Sequence, residues 1–279
     1  MRKEYNLEKF IDLHVHTYIS DSTFSPERVV EEAVKQKFCA IGITDHDTVN
    51  GINRAMQSSQ EYDLEIIPGV ELSTDENGKE IHILGYLINW ENKEFLDRLS
   101  FLRDERLKRA KQIIDKLLNL GVEINFDRVL EIAGQGAVGR MHIAQAIKEA
   151  GYISDIRDAF KKYLANDGPA YVKKYHLSPQ DAIEIIRNIG GVSVLAHPSI
   201  IQDDDIIPKL VQCGLCGIEA YRFEHSGVKA EYYKKIAQEN NLIVTGGSDC
   251  HGLFKGKMLL GTVKVPYEVL EKLKQCKGR

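Results

Sequence analysis

Ile11-Asp12-Leu13-His14-Val15-His16-Thr17 is the stretch on which the reading of this chain turns. An apolar, β-favouring run ends in two histidines placed two residues apart. In a strand, residues i and i+2 face the same side, so His14 and His16 aim both imidazoles at one point. A second apolar run, Ala40-Ile41-Gly42-Ile43, ends in Thr44-Asp45-His46-Asp47-Thr48. Imidazole and carboxylate at the ends of successive strands are how a metal site is built on a βα barrel.

Outward from these runs, strands and helices alternate. Phe10–Val15 reads as a strand. Ser25-Pro26 opens a helix, with Ser25 as N-cap and Pro26 in the first turn. Val29, Val30, Ala33 and Val34 form its apolar stripe. Ala40–Thr44 and Leu64–Val70 are strands, the latter ending in Glu71, and Glu80–Tyr86 is a strand carrying His82. From Asn92 to Ala165 the pattern is helical, with a long charged helix from Phe95 to Leu118. Alternation resumes near Tyr171. Ser178-Pro179 repeats the capping device, Val192–Ala196 ends in His197-Pro198, Gly217–Tyr221 carries Glu219, and Leu242–Gly246 leads into Gly247-Ser248-Asp249-Cys250-His251. The rhythm predicts a parallel barrel with right-handed crossovers.

Composition sets the outer bounds. The 279 residues are 43% hydrophobic and 28% charged, enough for a large core or a barrel plus a smaller unit. A net charge of -4 argues against binding of long nucleic acid through a general basic field. No membrane-spanning run or secretory leader is read, and 5 cysteines form no regular disulfide framework, so a cytoplasmic location is expected. Cys213 and Cys216 have CxxC spacing without the second pair of a structural zinc site, and read as packing residues.

A single histidine usually has a structural explanation. Here six of the 9 histidines (His14, His16, His46, His82, His197 and His251) fall on or just after predicted strands, mostly with a carboxylate nearby. In a βα barrel those positions converge on the C-terminal mouth. Burying that many polar groups without partners would cost about 1–3 kcal/mol each, which favours a shared ligand.

The series His14-Val15-His16-Thr17, Ser20-Asp21, Thr44-Asp45-His46-Asp47-Thr48, Pro68-Gly69-Val70-Glu71, His82-Ile83-Leu84-Gly85-Tyr86, Leu195-Ala196-His197-Pro198 and Gly247-Ser248-Asp249-Cys250-His251-Gly252 resembles that of the PHP (polymerase and histidinol phosphatase) family. Val138-Gly139-Arg140-Met141-His142 and Gly168-Pro169-Ala170-Tyr171-Val172 are similar to the subgroup of 3′,5′-nucleoside bisphosphate phosphatases, whose relatives also trim short oligoribonucleotides from the 5′ end. One departure is Ser22, where the family commonly has glycine. The resemblance implies an α/β fold: a distorted seven-stranded (β/α) barrel over 1–90 and 168–279, with a helical insertion over 91–167 covering the barrel mouth.

It also implies up to three divalent metals. One would take His14, His16, Glu71 and Asp249. A second would share Glu71 and add His82 and His197, and a third would take Asp21, His46 and His251. The mixed N/O donors suit manganese first, with iron, zinc or magnesium open. Asp45 and Asp47 flank His46 and could orient it, although Asp47 could equally cap the next helix. Arg140 could clamp a phosphate, or form an ordinary surface ion pair. His225 could bind phosphate or protonate the leaving oxygen. Arg106 and Arg109 share a helix face that could meet a second phosphate, or be merely solvated. His142 and His176 read as structural.

The expected activity is metal-dependent hydrolysis of a phosphate monoester by direct attack of water. The expected substrate is a nucleoside 3′,5′-bisphosphate or a short oligonucleotide, with no membrane or long nucleic acid as partner and a monomer or weak homo-oligomer as the working form. Histidinol-phosphate phosphatase and a metal-free, non-catalytic scaffold are the alternatives. An amidohydrolase-like C–N hydrolase is disfavoured because the bridging position holds Glu71 and not lysine.

Overall fold

The computed structural model describes residues 9–134, 136, 138–173, 175, 177–223, 227–253 and 256–277. Its strands are β1 (Phe10–Val15), β2 (Ala40–Ile43), β3 (Glu65–Glu76), β4 (Lys79–Tyr86), β5 (Val192–Leu195), β6 (Gly217–Arg222), β7 (Ile243–Gly247) and β8 (Val265–Pro266). They form one sheet in the order β7-β6-β5-β4-β3-β2-β1-β8. Beyond β7 the chain returns to β1. Cys250 pairs in parallel with Val15, the Asp249 N–H donates to the His14 carbonyl at 2.9 Å, and the His16 N–H donates to the Cys250 carbonyl at 3.1 Å. The sheet thereby becomes a nearly closed barrel, and four of the candidate ligands, His14, His16, Asp249 and His251, flank that seam.

The expected all-parallel arrangement is corrected at β4 and β8. Strands β1, β2 and β3 are mutually parallel, as are β5, β6 and β7, but β4 runs antiparallel to both β3 and β5. β8, an eighth strand of two residues, is antiparallel to β1. The cause at β4 is local. β3 continues past the expected end at Val70 as far as Glu76, and Asn77-Gly78 turns it straight back. Both residues have positive φ, 55° and 82°, the conformation a two-residue hairpin loop requires and the one Asn-Gly adopts most readily. Glu71 therefore lies within a strand and pairs with Leu84.

Helices form where the caps predicted them. Ser25 accepts the Arg28 N–H at 3.1 Å and opens the helix Pro26–Lys35, which buries Val29, Val30 and Ala33 and leaves Val34 partly exposed. Ser178 accepts the Asp181 N–H at 3.0 Å while the Asp181 carboxylate accepts the Ser178 N–H at 3.3 Å, a reciprocal cap at the start of Pro179–Asn188. The barrel interior is apolar below the mouth, with Ile11, Leu13, Ile67, Leu84, Val192 and Val194 packed together.

The chain divides into two compact units, 1–95 with 177–279, and 96–176. The second is helical. The long helix Lys93–Asn119 is followed by Phe126–Ala133, Arg140–Glu149 and Ile156–Ala159, the last continuing into a wider turn over Phe160–Leu164. Its core gathers Ile113, Leu117, Val129, Ile143, Ile147 and Leu164. Among the described residues, no helix is long and apolar enough to cross a membrane.

Candidate metal centre

Strand alternation turns Asp12, His14 and the residue just past the strand, His16, to one side of β1. All three are fully buried. The Nε2 atoms of His14 and His16 lie 3.1 Å apart, and each is 3.1 Å from Oε2 of Glu71. Oδ1 of Asp249 lies 3.4 Å from the first nitrogen and 3.3 Å from the second. Five of the six separations among these four electron-pair donors are thus 3.1–3.4 Å. In a regular tetrahedron of that edge the centre lies about 2 Å from each corner, the length of a metal–nitrogen or metal–oxygen bond.

The second carboxylate oxygen of Glu71 faces another pair. Oε1 is 2.8 Å from Nδ1 of His82 and 2.8 Å from Nε2 of His197. A third group surrounds Asp21. Its Oδ2 is 3.3 Å from Nε2 of His251 and 3.7 Å from Nε2 of His46, and its Oδ1 is 3.7 Å from Nδ1 of His16. His46 also places Nδ1 3.3 Å from Oε2 of Glu71, so the groups adjoin. Among the described residues, His16, Asp21, His46 and His251, then His14, His16, Glu71 and Asp249, then His46, Glu71 and His82, each have donor atoms close enough for one ion. The donors fit divalent cations on a second count. Among the described residues, the buried Nδ1 of His46, which faces Oε2 of Glu71, makes no hydrogen bond, as a nitrogen awaiting a cation would.

Electrostatics follow from this crowding. Burial opposes charge on His14, but the carboxylates of Glu219, Glu71 and Asp249 outweigh it and lift the ring to about 10. Burial likewise opposes charge on His82, and Glu71 lifts it to about 9. At His46 burial wins and the ring falls to about 4. Glu71 and Asp249 are held well below the usual carboxylate range, because surrounding imidazoles overcome the cost of burial. Cations at the centre would satisfy the same carboxylates.

The backbone around the site is forced into unusual shapes. His197 and Asp249 have φ of 29° and 53°, and Asp47 has 51°. Such left-handed residues cost about 1–3 kcal/mol each and persist where their surroundings hold them. At Asp47 the holders are visible. Its N–H donates to the Glu71 carbonyl at 3.0 Å, and its Oδ1 accepts the Ser73 N–H at 2.9 Å. Asp47 therefore ties the loop to β3, and the next helix, Ile52–Ser59, begins after Gly51. Asp45 Oδ1 accepts from the Thr17 N–H at 2.7 Å and the Ser20 hydroxyl at 2.6 Å, fixing the loop between His16 and Asp21. Gly247 is required for closeness: a Cβ there would lie 2.4 Å from the His14 nitrogen and 2.7 Å from Asp12 Oδ1.

Three residues around the ligands carry roles that motif reading did not assign. Glu219, fully buried on β6, accepts from His14 Nδ1 at 3.0 Å and from the His197 N–H at 2.9 Å. Arg222 reaches Oε2 of Glu219 and Oδ2 of Asp249, both at 3.3 Å. Asp12 Oδ1 accepts the N–H groups of His14 and Ser248 at 3.2 and 2.9 Å. The alternation that pairs His14 with His16 also points to Asp12. Glu219 and Arg222 had no such neighbour.

Of the remaining candidates, Arg140 donates to the Leu164 carbonyl at 3.0 Å and to Asn166 Oδ1 at 2.8 Å within the helical unit. Arg109 donates to the Val172 carbonyl at 2.8 Å, and Arg106 lies on the same long helix. His142 caps its own helix by accepting the Gly139 N–H on Nδ1 at 3.1 Å. His225 and His176 lie outside the described residues. Cys213 and Cys216 are free thiols.

Donors of this kind, gathered on and after the strands of a βα barrel, are those of a metal-dependent hydrolase. The family model of the PHP domain matches residues 12–168, and the chain belongs to that family. It is 30% identical over 251 residues to the phosphoribosyl 1,2-cyclic phosphate 1,2-diphosphodiesterase of Eggerthella lenta, covering 87% of this chain and 94% of that enzyme. It is 36% identical over 253 residues to the 5′-3′ exoribonuclease Rnm of Escherichia coli, covering 88% and 86%. It is 29% identical over 252 residues to the 3′,5′-nucleoside bisphosphate phosphatase of Chromobacterium violaceum, covering 88% of each. A solved structure from Bifidobacterium adolescentis, assigned to the metal-dependent phosphoesterases, superposes with a TM-score of 0.83 at 28% identity over 96% of both chains. The protein is a metal-dependent phosphoric ester hydrolase.

Proposed function

We propose that the enzyme removes the 3′-phosphate from nucleoside 3′,5′-bisphosphates, leaving the 5′-monophosphate, and also trims short 5′-phosphorylated oligonucleotides from the 5′ end. The observation that carries the hydrolytic part is the divided carboxylate of Glu71, with His14 and His16 on one oxygen and His82 and His197 on the other. A carboxylate in that position can be shared between ions. Up to three divalent ions, manganese foremost, would be held by the three sets of side chains built above. Bound there, such ions lower the pKa of water, polarise phosphoryl oxygens and hold the leaving oxygen in line.

The chain's own residues prepare the site. Glu219 accepts the hydrogen bond from Nδ1–H of His14 and leaves Nε2 facing inward as an electron-pair donor. Arg222 engages Asp249 through Oδ2, which keeps Oδ1 toward the two imidazoles. Asp45 fixes the loop that carries Asp21. Arg140 and His225, with Arg106 and Arg109, are the phosphate-binding groups of this reading, and His225 is its proton donor to the leaving oxygen.

The bisphosphate and oligonucleotide substrates are supported by the relatives from C. violaceum and E. coli. Hydrolysis of a sugar cyclic phosphate is the second reading, favoured by the E. lenta relative, whose length this chain matches almost throughout. The test is release of phosphate and of mononucleotide from adenosine 3′,5′-bisphosphate beside AMP, a 5′-phosphorylated dinucleotide, phosphoribosyl 1,2-cyclic phosphate and histidinol phosphate, with manganese and then with chelator. Chelator-sensitive conversion of the bisphosphate to AMP is expected. Turnover confined to the cyclic ester or to histidinol phosphate would replace the bisphosphate reading.

A further inference from the structure

The two units differ in charge. Residues 96–176 contain 15 Lys and Arg against 11 Asp and Glu, a net charge of +4, whereas the barrel unit contains 22 against 30, a net charge of -8. A polyanion is therefore repelled by the barrel's own side chains and attracted to the helical unit.

The positive charge is interleaved with rings. Arg98, Phe101, Arg109 and Lys116 follow one another at spacings of 3, 8 and 7 residues, which keeps them on one side of the helix Lys93–Asn119 over a length of about 27 Å. Tyr171, Val172 and Tyr175 lie back along that side. Lys116 Nζ donates to the Tyr171 carbonyl at 2.6 Å, and Arg109 Nε donates to the Val172 carbonyl at 2.8 Å. Tyr175 meets Phe101 edge to face with ring centres 5.1 Å apart. The Arg98 guanidinium lies 5.4 Å from the Phe101 ring and 5.9 Å from the Tyr175 ring. Arg109 and Arg140 approach the Tyr171 ring at 5.9 and 6.0 Å. At Arg98 and Lys116 these partners are ring faces and a carbonyl, which are neutral and position the cations without cancelling their charge. Phe101 and Tyr175 are 39% and 37% exposed, so part of each ring is open to a stacking base.

We infer that this strip of Arg98, Phe101, Tyr175 and Lys116 binds single-stranded oligonucleotide, phosphates on the cations and bases on the rings. Alternating cation and aromatic side chains along one track are what a single strand needs, because every base has a π-face and every linkage a negative charge. The inference rests on the nucleotide reading of the enzyme and gives it a preference for oligomers over single nucleotides.

The test uses the metal-loaded enzyme and two readouts. The first is fluorescence anisotropy of a 3′-fluorescein phosphorothioate heptaribonucleotide carrying a 5′-phosphate, measured over a series of salt concentrations. Phe101→Ala with Tyr175→Ala should weaken its binding about 30-fold or more. Arg98→Gln with Lys116→Gln should flatten the dependence of log K on log salt by about 1.4, about 0.7 for each lost phosphate contact. The second readout is steady-state turnover of adenosine 3′,5′-bisphosphate, which these four substitutions should leave unchanged. Binding that is absent in the wild type, or identical in the wild type and both double variants, would overturn the strip and assign its cations to fastening the 171–175 segment. No turnover of the bisphosphate or of any oligonucleotide by the wild type would overturn the nucleotide reading, while the anisotropy series still decides the strip.

Discussion

Nδ1 of His14 lies 3.0 Å from Oε1 of Glu219, a fully buried carboxylate 205 positions further along the chain. The contact fixes which imidazole nitrogen is left for the metal centre. Because Glu219 also accepts the His197 N–H and meets Arg222, one carboxylate orients two candidate ligands at once.

Glu219→Gln should therefore lower metal affinity by about 10–100-fold while the ligands themselves remain in place. Competition against a chromophoric chelator measures this directly. Unchanged affinity would show that His14 holds its orientation by packing alone.

Glu71→Gln removes charge from the carboxylate that four imidazoles face within 3.1 Å. Turnover should vanish, and the metal bound per chain, read by elemental analysis, should fall by more than one ion. Loss of a single ion with the others retained would contradict a shared carboxylate.

Asp12 gives a pH prediction. Burial raises its carboxyl from 3.8 to about 6. The folded chain keeps this proton at pH values where the unfolded chain has lost it, so the group's contribution is fully present below about pH 4 and is lost as pH rises to about 6. Asp12→Asn keeps an oxygen to accept from His14 and Ser248 and carries no charge. With chelator present, the variant should be more stable than the wild type at pH 7, by on the order of 2–3 kcal/mol. Denaturant titrations at pH 4 should find the gap closed; a gap of equal size at both pH values would place the effect elsewhere.

Arg140→Ala should raise KM for the bisphosphate or lower kcat/KM about tenfold, with metal content unchanged. Because Arg140 also donates to the Leu164 carbonyl and Asn166, the melting temperature must be followed alongside. Unaltered kinetics with a lowered melting temperature would make Arg140 a structural residue of the helical unit.

The candidate ligands were legible because their signals are local. His14 and His16 share a strand face, and the clusters around His46 and Asp249 directly follow apolar runs. The direction of β4 was less visible. Ser73-Thr74-Asp75-Glu76 is polar and reads as a loop, yet it completes β3, and Asn77-Gly78 carries the whole hairpin signal in two residues. Glu219 and Arg222 were hidden for another reason. Their meaning depends on β6 lying beside β5 and β7, a fact of strand order with no short-range signature.

The pairing of Val15 with Cys250 also has a consequence for synthesis. It joins positions 235 residues apart, and on either side of it stand His14, His16, Asp249 and His251. A chain still emerging from the ribosome can form the β3–β4 hairpin, with Glu71 and His82, long before the barrel can close. It cannot assemble either the His14–His16–Glu71–Asp249 set or the set around Asp21 until the β7 region has been made. Hydrolytic competence is thus withheld until the β7 region has been translated, and products terminated before it lack a complete metal centre.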